Sequence, residues 1–161
     1  MTDSVELDEA ALVLLSVGRR FPGAQAMLAP VHATVQKVAV EGAQLQAQKE
    51  QCGHFNLQAR FDELWAEFGT SASPAECAAT GHIMLPRAAV IMLGGKRSAL
   101  WVKSEAENMI SAATEMFNSW RSSAGHWEIL SAPHTWLGAE MMQSASGVWY
   151  GTITVVDVSN G

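Results

Sequence analysis

The stretch WRSSAGHWEIL, residues 120–130, constrains the fold more than any other part of the sequence. It follows a segment whose apolar residues recur at helical spacing up to Trp120, which predicts a helix over 105–121. Gly125 permits a sharp turn after that helix, and such a turn presents the next side chain at the end of the element. His126 is therefore a candidate functional residue.

A second histidine occupies the same kind of position. A helix is predicted after Pro30, where proline suits a first helical position, and Gly53 ends it, so His54 directly follows a helix end. The next helix is predicted over 57–68, because its apolar residues follow the i, i+4, i+7 pattern. Arg60 is assigned to the exposed side of this helix.

The remaining segments complete an α/β pattern. A first helix is predicted over 5–17, with Asp3 as its cap. Two hairpins are predicted, one over 88–93 and 99–102 and one over 135–142 and 148–158. Helices interrupted by hairpins favour an α/β sandwich in one domain over alternating βαβ units.

Composition narrows the class of protein and its partners. The chain has 161 residues, 48% apolar and 16% charged, which suits one packed domain and argues against disorder. Its net charge is −6 and its basic residues are scattered, so we expect no nucleic acid partner. No apolar run approaches the roughly 20 residues of a membrane span. The start, MTDSVE, is acidic where a signal peptide is basic.

Several segments resemble one known family. Residues 120–130 resemble the bacterial CAP signature W-x-x-S-P-G-H-x-x-N-I-L. Residues 75–81, AECAATG, look like its G-E-N-I-A-x-G motif, and residues 53–61, GHFNLQARF, look like its first-histidine region with an F-x-x-R pattern. Residues 137–140 and 148–152 are similar to its later strands. The motifs occur in the expected order over most of the chain, so the sequence resembles the SCP-like bacterial type of the CAP superfamily.

The resemblance implies a fold and a location. The superfamily includes cysteine-rich secretory proteins, insect venom antigens and plant pathogenesis-related proteins, and most members are secreted. It implies a three-layer α-β-α sandwich with a small antiparallel sheet, over 1–161 as a single CAP-like domain. The apolar stretch near 83–103 exceeds the family's usual link and is expected to be an inserted hairpin. It would serve as a partner or self-association surface, because so few charges cover the domain.

The resemblance also implies a site. Two histidines and two acids line a central cleft in the family, and some members hold zinc there. His54, Glu76 and His126 correspond to both histidines and the first acid, whereas Ser123 stands at the position of the second acid. Two neutral imidazoles and a carboxylate would leave a fourth position open, as in zinc sites that bind water or substrate. The alternative is a hydrogen-bonded cluster that fixes the fold without metal.

Three functions are compatible with these residues. The first is a non-enzymatic CAP-like binding module whose histidine-lined cleft holds a divalent metal, such as zinc, or a small ligand. The second is a structural or interaction protein of a larger assembly with an inactive cleft. The third is a metal-dependent hydrolase, which would also need a second base or an oxyanion donor.

The other histidines and the cysteines are given structural interpretations. His32 lies beside an apolar helix stripe, and His82 and His134 lie in loops without an acidic neighbour at ligand spacing. Cys52 and Cys77 permit either one disulfide or two free thiols. If Glu76 is in a strand, Cys77 points to the opposite face of the sheet.

Overall fold

The computed structural model describes residues 5–82 and 97–159, with side chains described up to residue 82 and from residue 106 onward. These residues form five α-helices, one 3₁₀-helix at Gln25–Leu28 and three strands. The helices are α1 (Glu9–Arg20), α2 (Ala33–Lys49), α3 (Leu57–Phe68), α4 (Arg97–Arg121) and α5 (Ala124–Leu130). The strands are β1 (Ser73–Gly81), β2 (Trp136–Gln143) and β3 (Trp149–Asp157).

The three strands form one antiparallel sheet in the order β1-β3-β2. β3 is therefore central, and β1 and β2 lie at its two sides. The register places Glu76 of β1 opposite Thr154, and Glu140 of β2 opposite Thr152. Because side chains two residues apart on a strand share a face, Glu76, Glu140 and both threonines lie on one face of the sheet.

Helices cover both faces of this sheet. One face packs against α1, α4 and α5 through the larger apolar core, which includes Leu14, Met116 and Ile153. The other face packs against α2 and α3 through a smaller cluster around Val35 and Leu64. The protein is thus an α/β sandwich of three layers with a small antiparallel sheet, as the sequence predicted.

Buried glutamines attach α2 to the sheet. Gln36 bonds both the backbone N–H and the C=O of Ala139, at 2.9 and 2.8 Å, on the side of β2 that faces away from β3. Gln46 donates to the backbone oxygen of Gly151 and to the hydroxyl of Thr152. Both glutamines are buried, so part of the polar side of α2 faces the sheet rather than solvent.

Several predicted bounds agree with the structure and others need correction. The helix over 57–68 and the second hairpin are confirmed. Helix α1 begins at Glu9 rather than residue 5, because Asp8 caps it by accepting from the N–H of Ala11 at 2.8 Å. Residues 99–102, predicted as a strand, lie within α4 instead.

The rest of the proposed inserted hairpin, residues 83–96, lies outside the described residues, so the predicted self-association surface stays a prediction. Strand β1 was not predicted from the sequence beyond the conditional placement of Glu76. Its alanine-rich composition lacks the β-branched and aromatic residues that mark strands. The conditional statement about Cys77 is confirmed, since Cys77 lies in the larger core on the face opposite Glu76.

Trp120 connects α4 to β1. Its side chain is fully buried near the end of α4, and its indole N–H donates to the backbone oxygen of Ala78 at 3.1 Å. This contact fixes the strand that carries Glu76 relative to α4, which directly precedes the helix that carries His126.

Candidate ligand-binding site

Arg60 lies at the bottom of the site. Its side chain is 1% exposed, so its predicted exposure on α3 was wrong. The guanidinium donates to the backbone oxygens of Phe55, at 3.0 Å, and Val38, at 3.2 Å. Gly42 of α2 leaves room for the guanidinium, because a Cβ at this position would lie only 3.0 Å from Nη1 of Arg60. Arg60 therefore occupies a pocket between α2 and α3.

Glu76 is the partner of this buried cation. Its side chain is 2% exposed, and both Nη atoms of Arg60 donate to it, Nη1 to Oε1 and Nη2 to Oε2 at 2.9 Å. Thr154 of the central strand also donates to Oε1, at 3.3 Å. Such a two-pronged arginine–carboxylate pair is among the strongest hydrogen-bonded arrangements in proteins.

These contacts determine the ionisation of Glu76. Burial acts to raise the pKa of its carboxyl group. The hydrogen bonds and positive charges of Arg60 and His54 outweigh burial, so the pKa lies below the ordinary value. Glu76 is consequently an ionised, acceptor-only group in the neutral pH range.

His54 forms the solvent side of this cluster. Its Nδ1 lies 2.8 Å from Oε2 of Glu76, and 39% of its side chain is exposed. Because an ionised carboxylate can only accept, Nδ1 must carry the proton in this bond. In the neutral form of the ring this bond leaves the lone pair on Nε2, which is the atom that can bind a metal or a hydrogen-bond donor.

His126 belongs to the opposite layer. It lies in the first turn of α5, where its Nδ1 is 2.9 Å from Oγ of Ser123. The thiol of Cys77 donates to its backbone oxygen at 3.8 Å. Burial and, second, the positive charge of His54 lower the pKa of His126. Its imidazole is therefore neutral at pH 7.

Two of the three predicted site residues touch each other, and the third lies against other partners. His54 and Glu76 are in direct contact. The His126 ring contacts Ser123, and its backbone oxygen accepts from Cys77. A positive charge on His54 contributes to the lowered pKa of the His126 ring. The two histidines thus approach β1 from opposite layers, since Glu76 and Cys77 point to opposite faces.

The predicted reason for this placement was only partly right. Neither Gly53 nor Gly125 has a positive φ angle; Glu50 and Asn56 have left-handed backbone around His54 instead, with φ of 52° and 55°. Glu50 is the C-cap of α2, and Asn56 directly precedes α3. The short connection between α2 and α3 therefore places the His54 side chain against Glu76 of the sheet.

A three-ligand zinc site does not fit these residues. Within 5–82 and 97–159, no three histidine, cysteine, aspartate or glutamate side chains are placed to hold a metal ion. Glu76 accepts bonds on both oxygens, and burial and the charge of Glu76 raise the pKa of the Cys77 thiol to about 12. The donors that remain are the imidazoles of His54 and His126, which are not engaged by Arg60.

The remaining histidines and cysteines have other roles. His82 pairs with Glu115 at 3.0 Å, and His134 pairs with Asp157 at 3.0 Å, so each has an acidic partner that is distant in the sequence. His32 caps α2 by accepting from the N–H of Thr34. Cys52 is exposed, Cys77 is buried, and both are free thiols.

Arg60 is the residue that the sequence interpretation misassigned. It stands three residues after Leu57 and four before Leu64, which puts it on the apolar stripe of α3 rather than on the polar side. A charged residue on such a stripe needs a buried partner. That spacing, together with the single acid of the AECAATG segment, could have predicted the pair.

Comparison with known proteins supports the fold alone. No protein-family model and no curated protein matches the sequence. A solved structure, that of an outer surface protein from Borrelia burgdorferi, is similar with a TM-score of 0.58 at 13% identity. The match covers 99% of this chain and 100% of that one. The α/β architecture is therefore shared, and membership of the CAP superfamily stays a prediction.

The structure also bears on membrane association. In the part of the chain that the structure describes, no helix combines the length and apolar character needed to cross a bilayer.

Proposed function

We propose that this chain is a CAP-like, non-enzymatic binding module in which the imidazoles of His54 and His126 bind a divalent metal ion such as zinc. Glu76 would orient His54 instead of ligating. The observation that carries this proposal is the 2.8 Å bond between Nδ1 of His54 and the buried carboxylate of Glu76. Histidines that bind metals commonly donate their other ring N–H to a carboxylate in this way.

His126 supports the same assignment. Its lowered pKa keeps the ring neutral near pH 7, and only a neutral imidazole can ligate. Ser123 Oγ can accept from Nδ1–H, which leaves the lone pair on Nε2. Two imidazoles would leave coordination positions open for water or for an acidic group of a partner. A bound zinc ion would supply Lewis acidity at those positions.

We favour binding over catalysis because, once both imidazoles serve as ligands, the cluster has no further group that can act as a base. Glu76 is engaged by Arg60 and His54, and the Cys77 thiol is held protonated. A hydrolase would need a group that can take a proton next to the reacting atoms. We therefore prefer a binding module to a metal-dependent hydrolase.

Zinc titration by calorimetry tests the proposal. We expect the wild type to bind zinc at pH 7.5, and His54→Gln and His126→Gln each to abolish the heat. At pH 5.5 binding should be much weaker, since protons compete for both imidazoles. The matched control is His82→Gln, because His82 forms an exposed histidine–glutamate pair with Glu115 that should not contribute. Unchanged binding in His54→Gln would refute the proposal.

A second candidate is a structural or interaction protein with an inactive cleft. It is favoured by the buried Arg60–Glu76 pair, which satisfies the carboxylate without any metal. Absence of zinc heat in the wild type would favour this candidate. Either function suits an extracellular location, which we propose from the sequence resemblance and from the description of the similar solved structure as an outer surface protein.

A further inference from the structure

We propose that one corner of the molecule is a docking surface for an acidic segment of a partner protein, with Arg121 as its anchor. The corner lies where α1 and α4 end, beside the 3₁₀-helix and α5, which contact them. We call it the Arg121 corner, and it consists of residues 19–21, Leu28, Arg121 and Trp127. Docking at this corner does not require the proposed metal ion.

The guanidinium of Arg121 is exposed but is held in place by two aromatic rings. Its central carbon lies 5.6 Å from the centroid of the Phe21 ring and 5.5 Å from that of the Trp127 ring. The two rings contact each other edge to face, with their centroids 6.0 Å apart. Arginine stacks well on aromatic faces, because its planar cation is attracted to the π electrons and is weakly hydrated. Arg121 therefore has less freedom to lose on binding than an unsupported surface arginine.

The hydrogen-bond donors of Arg121 remain available. Among the described side chains, Arg121 makes the two ring contacts but no hydrogen bond or ion pair. The buried Arg60, by contrast, uses its donors on Glu76 and on two backbone oxygens. A guanidinium presents five N–H donors in a planar fork that matches the two oxygens of a carboxylate. Arg121 is consequently oriented for an acid that the described part of the chain does not supply.

The Arg121 corner is built from two segments that contain no acidic residue. Residues 10–40 and 116–127 lack aspartate and glutamate, although the chain carries 16 of them and a net charge of −6. Arg19 and Arg20 end α1 in the first of these segments, and both are exposed. Glu128 borders the second segment, but it does not pair with these arginines among the described contacts. The corner is therefore locally positive on an acidic protein, which favours an acidic partner.

The small number of cations and an exposed apolar side chain favour a protein over a membrane or a nucleic acid. Three arginines are fewer than the roughly four to eight clustered cations of lipid-binding segments, and phosphate backbones also need several. Leu28 is 69% exposed and follows Met27, whose backbone oxygen accepts from Nε of Arg19 at 3.2 Å. Tryptophan and arginine are enriched among the residues that dominate binding at protein interfaces. The corner therefore fits a short segment in which carboxylates adjoin an apolar side chain.

Fluorescence anisotropy tests this with a labelled peptide that repeats glutamate, glutamate and leucine, at low salt and pH 7.5 with EDTA present. We expect saturable binding that weakens as salt is added. Arg121→Gln should weaken binding at least about tenfold. Trp127→Leu should also weaken it, because it removes one ring of the stack without changing the charge. The matched control is Lys49→Gln, which removes the same charge from a cation that lies in the opposite layer, 5.2 Å from the centroid of the Phe55 ring.

Every outcome supports or overturns the docking surface. Loss of binding in Arg121→Gln with Lys49→Gln unchanged supports it, whether or not zinc binds at His54. Equal losses in these two variants show that only net charge matters and overturn it, as does the absence of binding by the wild type. Binding of phosphatidylglycerol vesicles or single-stranded DNA as tight as that of the peptide also overturns it. Melting temperatures report whether the variants fold, and Arg121→Gln, at an exposed position, decides alone if Trp127→Leu does not fold.

Discussion

Two buried carboxylates lie on the same face of the sheet but on opposite edge strands, Glu76 on β1 and Glu140 on β2. Each faces a threonine of the central strand, Thr154 and Thr152 respectively. Their ionisation is opposite. The pKa of Glu76 is lowered, because Arg60 and His54 outweigh burial, whereas burial and the nearby Asp8 raise the pKa of Glu140 to about 9.

The difference shows what determines whether a buried carboxyl group is charged. Burial beside a second acid raises the pKa and gives a protonated group, as in Glu140, whose carboxyl can donate to Asp8 while it accepts from the N–H of Met141. A buried cation beside the acid gives a charged group that can hold a histidine in one tautomer. The charged side chain beside each carboxyl group, and not its position in the sheet, therefore determines whether it is ionised.

The largest effect is expected at Glu76. Glu76→Gln leaves the guanidinium of Arg60 buried without its counter-charge, which should destabilise the protein by about 3–5 kcal/mol. Urea unfolding at pH 7 measures this. Because the folded pKa of Glu76 is lowered, its stabilisation is present above the unfolded value of about 4.5 and is lost as the pH falls through the folded value. A loss below about 1 kcal/mol at pH 7 would contradict the described pair.

A smaller effect of opposite sign is expected at Glu140. Glu140→Gln keeps a donor toward Asp8 and removes the cost of protonation, so we expect it to stabilise the protein by about 1–3 kcal/mol at pH 8. Because the folded pKa is raised, the favourable contribution of Glu140 is complete below about 4.5 and is lost as the pH rises toward about 9. The gain should therefore shrink at pH 5. Destabilisation at pH 8 would show that Glu140 is ionised in the folded protein.

The smallest effect is expected at the exposed pair. Glu115 pairs with His82 as Glu76 pairs with His54, but both partners are largely exposed. Glu115→Gln should change the stability by about 0.5 kcal/mol or less, because water and salt screen such pairs. Urea unfolding under the conditions used for Glu76→Gln gives the comparison. An effect as large as that of Glu76→Gln would show that the buried arginine is not what distinguishes the two pairs.

The strongly periodic elements were predicted from apolar spacing and the contact of His54 with Glu76 from the family resemblance, and prediction failed where tertiary contacts override local pattern. α3 and the second hairpin were predictable because their apolar spacing is regular. β1 was not, because an alanine-rich strand lacks a local signal. Arg60 was misassigned because its charge was given more weight than its place on the apolar stripe.

The central claim is that His54 and His126 bind the metal ion, whereas Glu76 only orients His54. The NMR signals of the histidine ring nitrogens report on both roles. Long-range ¹H–¹⁵N correlation of these rings during a zinc titration at pH 7.5 tests this most directly. We predict that His54 is protonated on Nδ1 before zinc is added. The Nε2 resonances of His54 and His126 should then move together with one affinity, while those of His82 and His134 stay in place. Equal shifts in all four rings, or no shift in His54, would contradict the proposed roles.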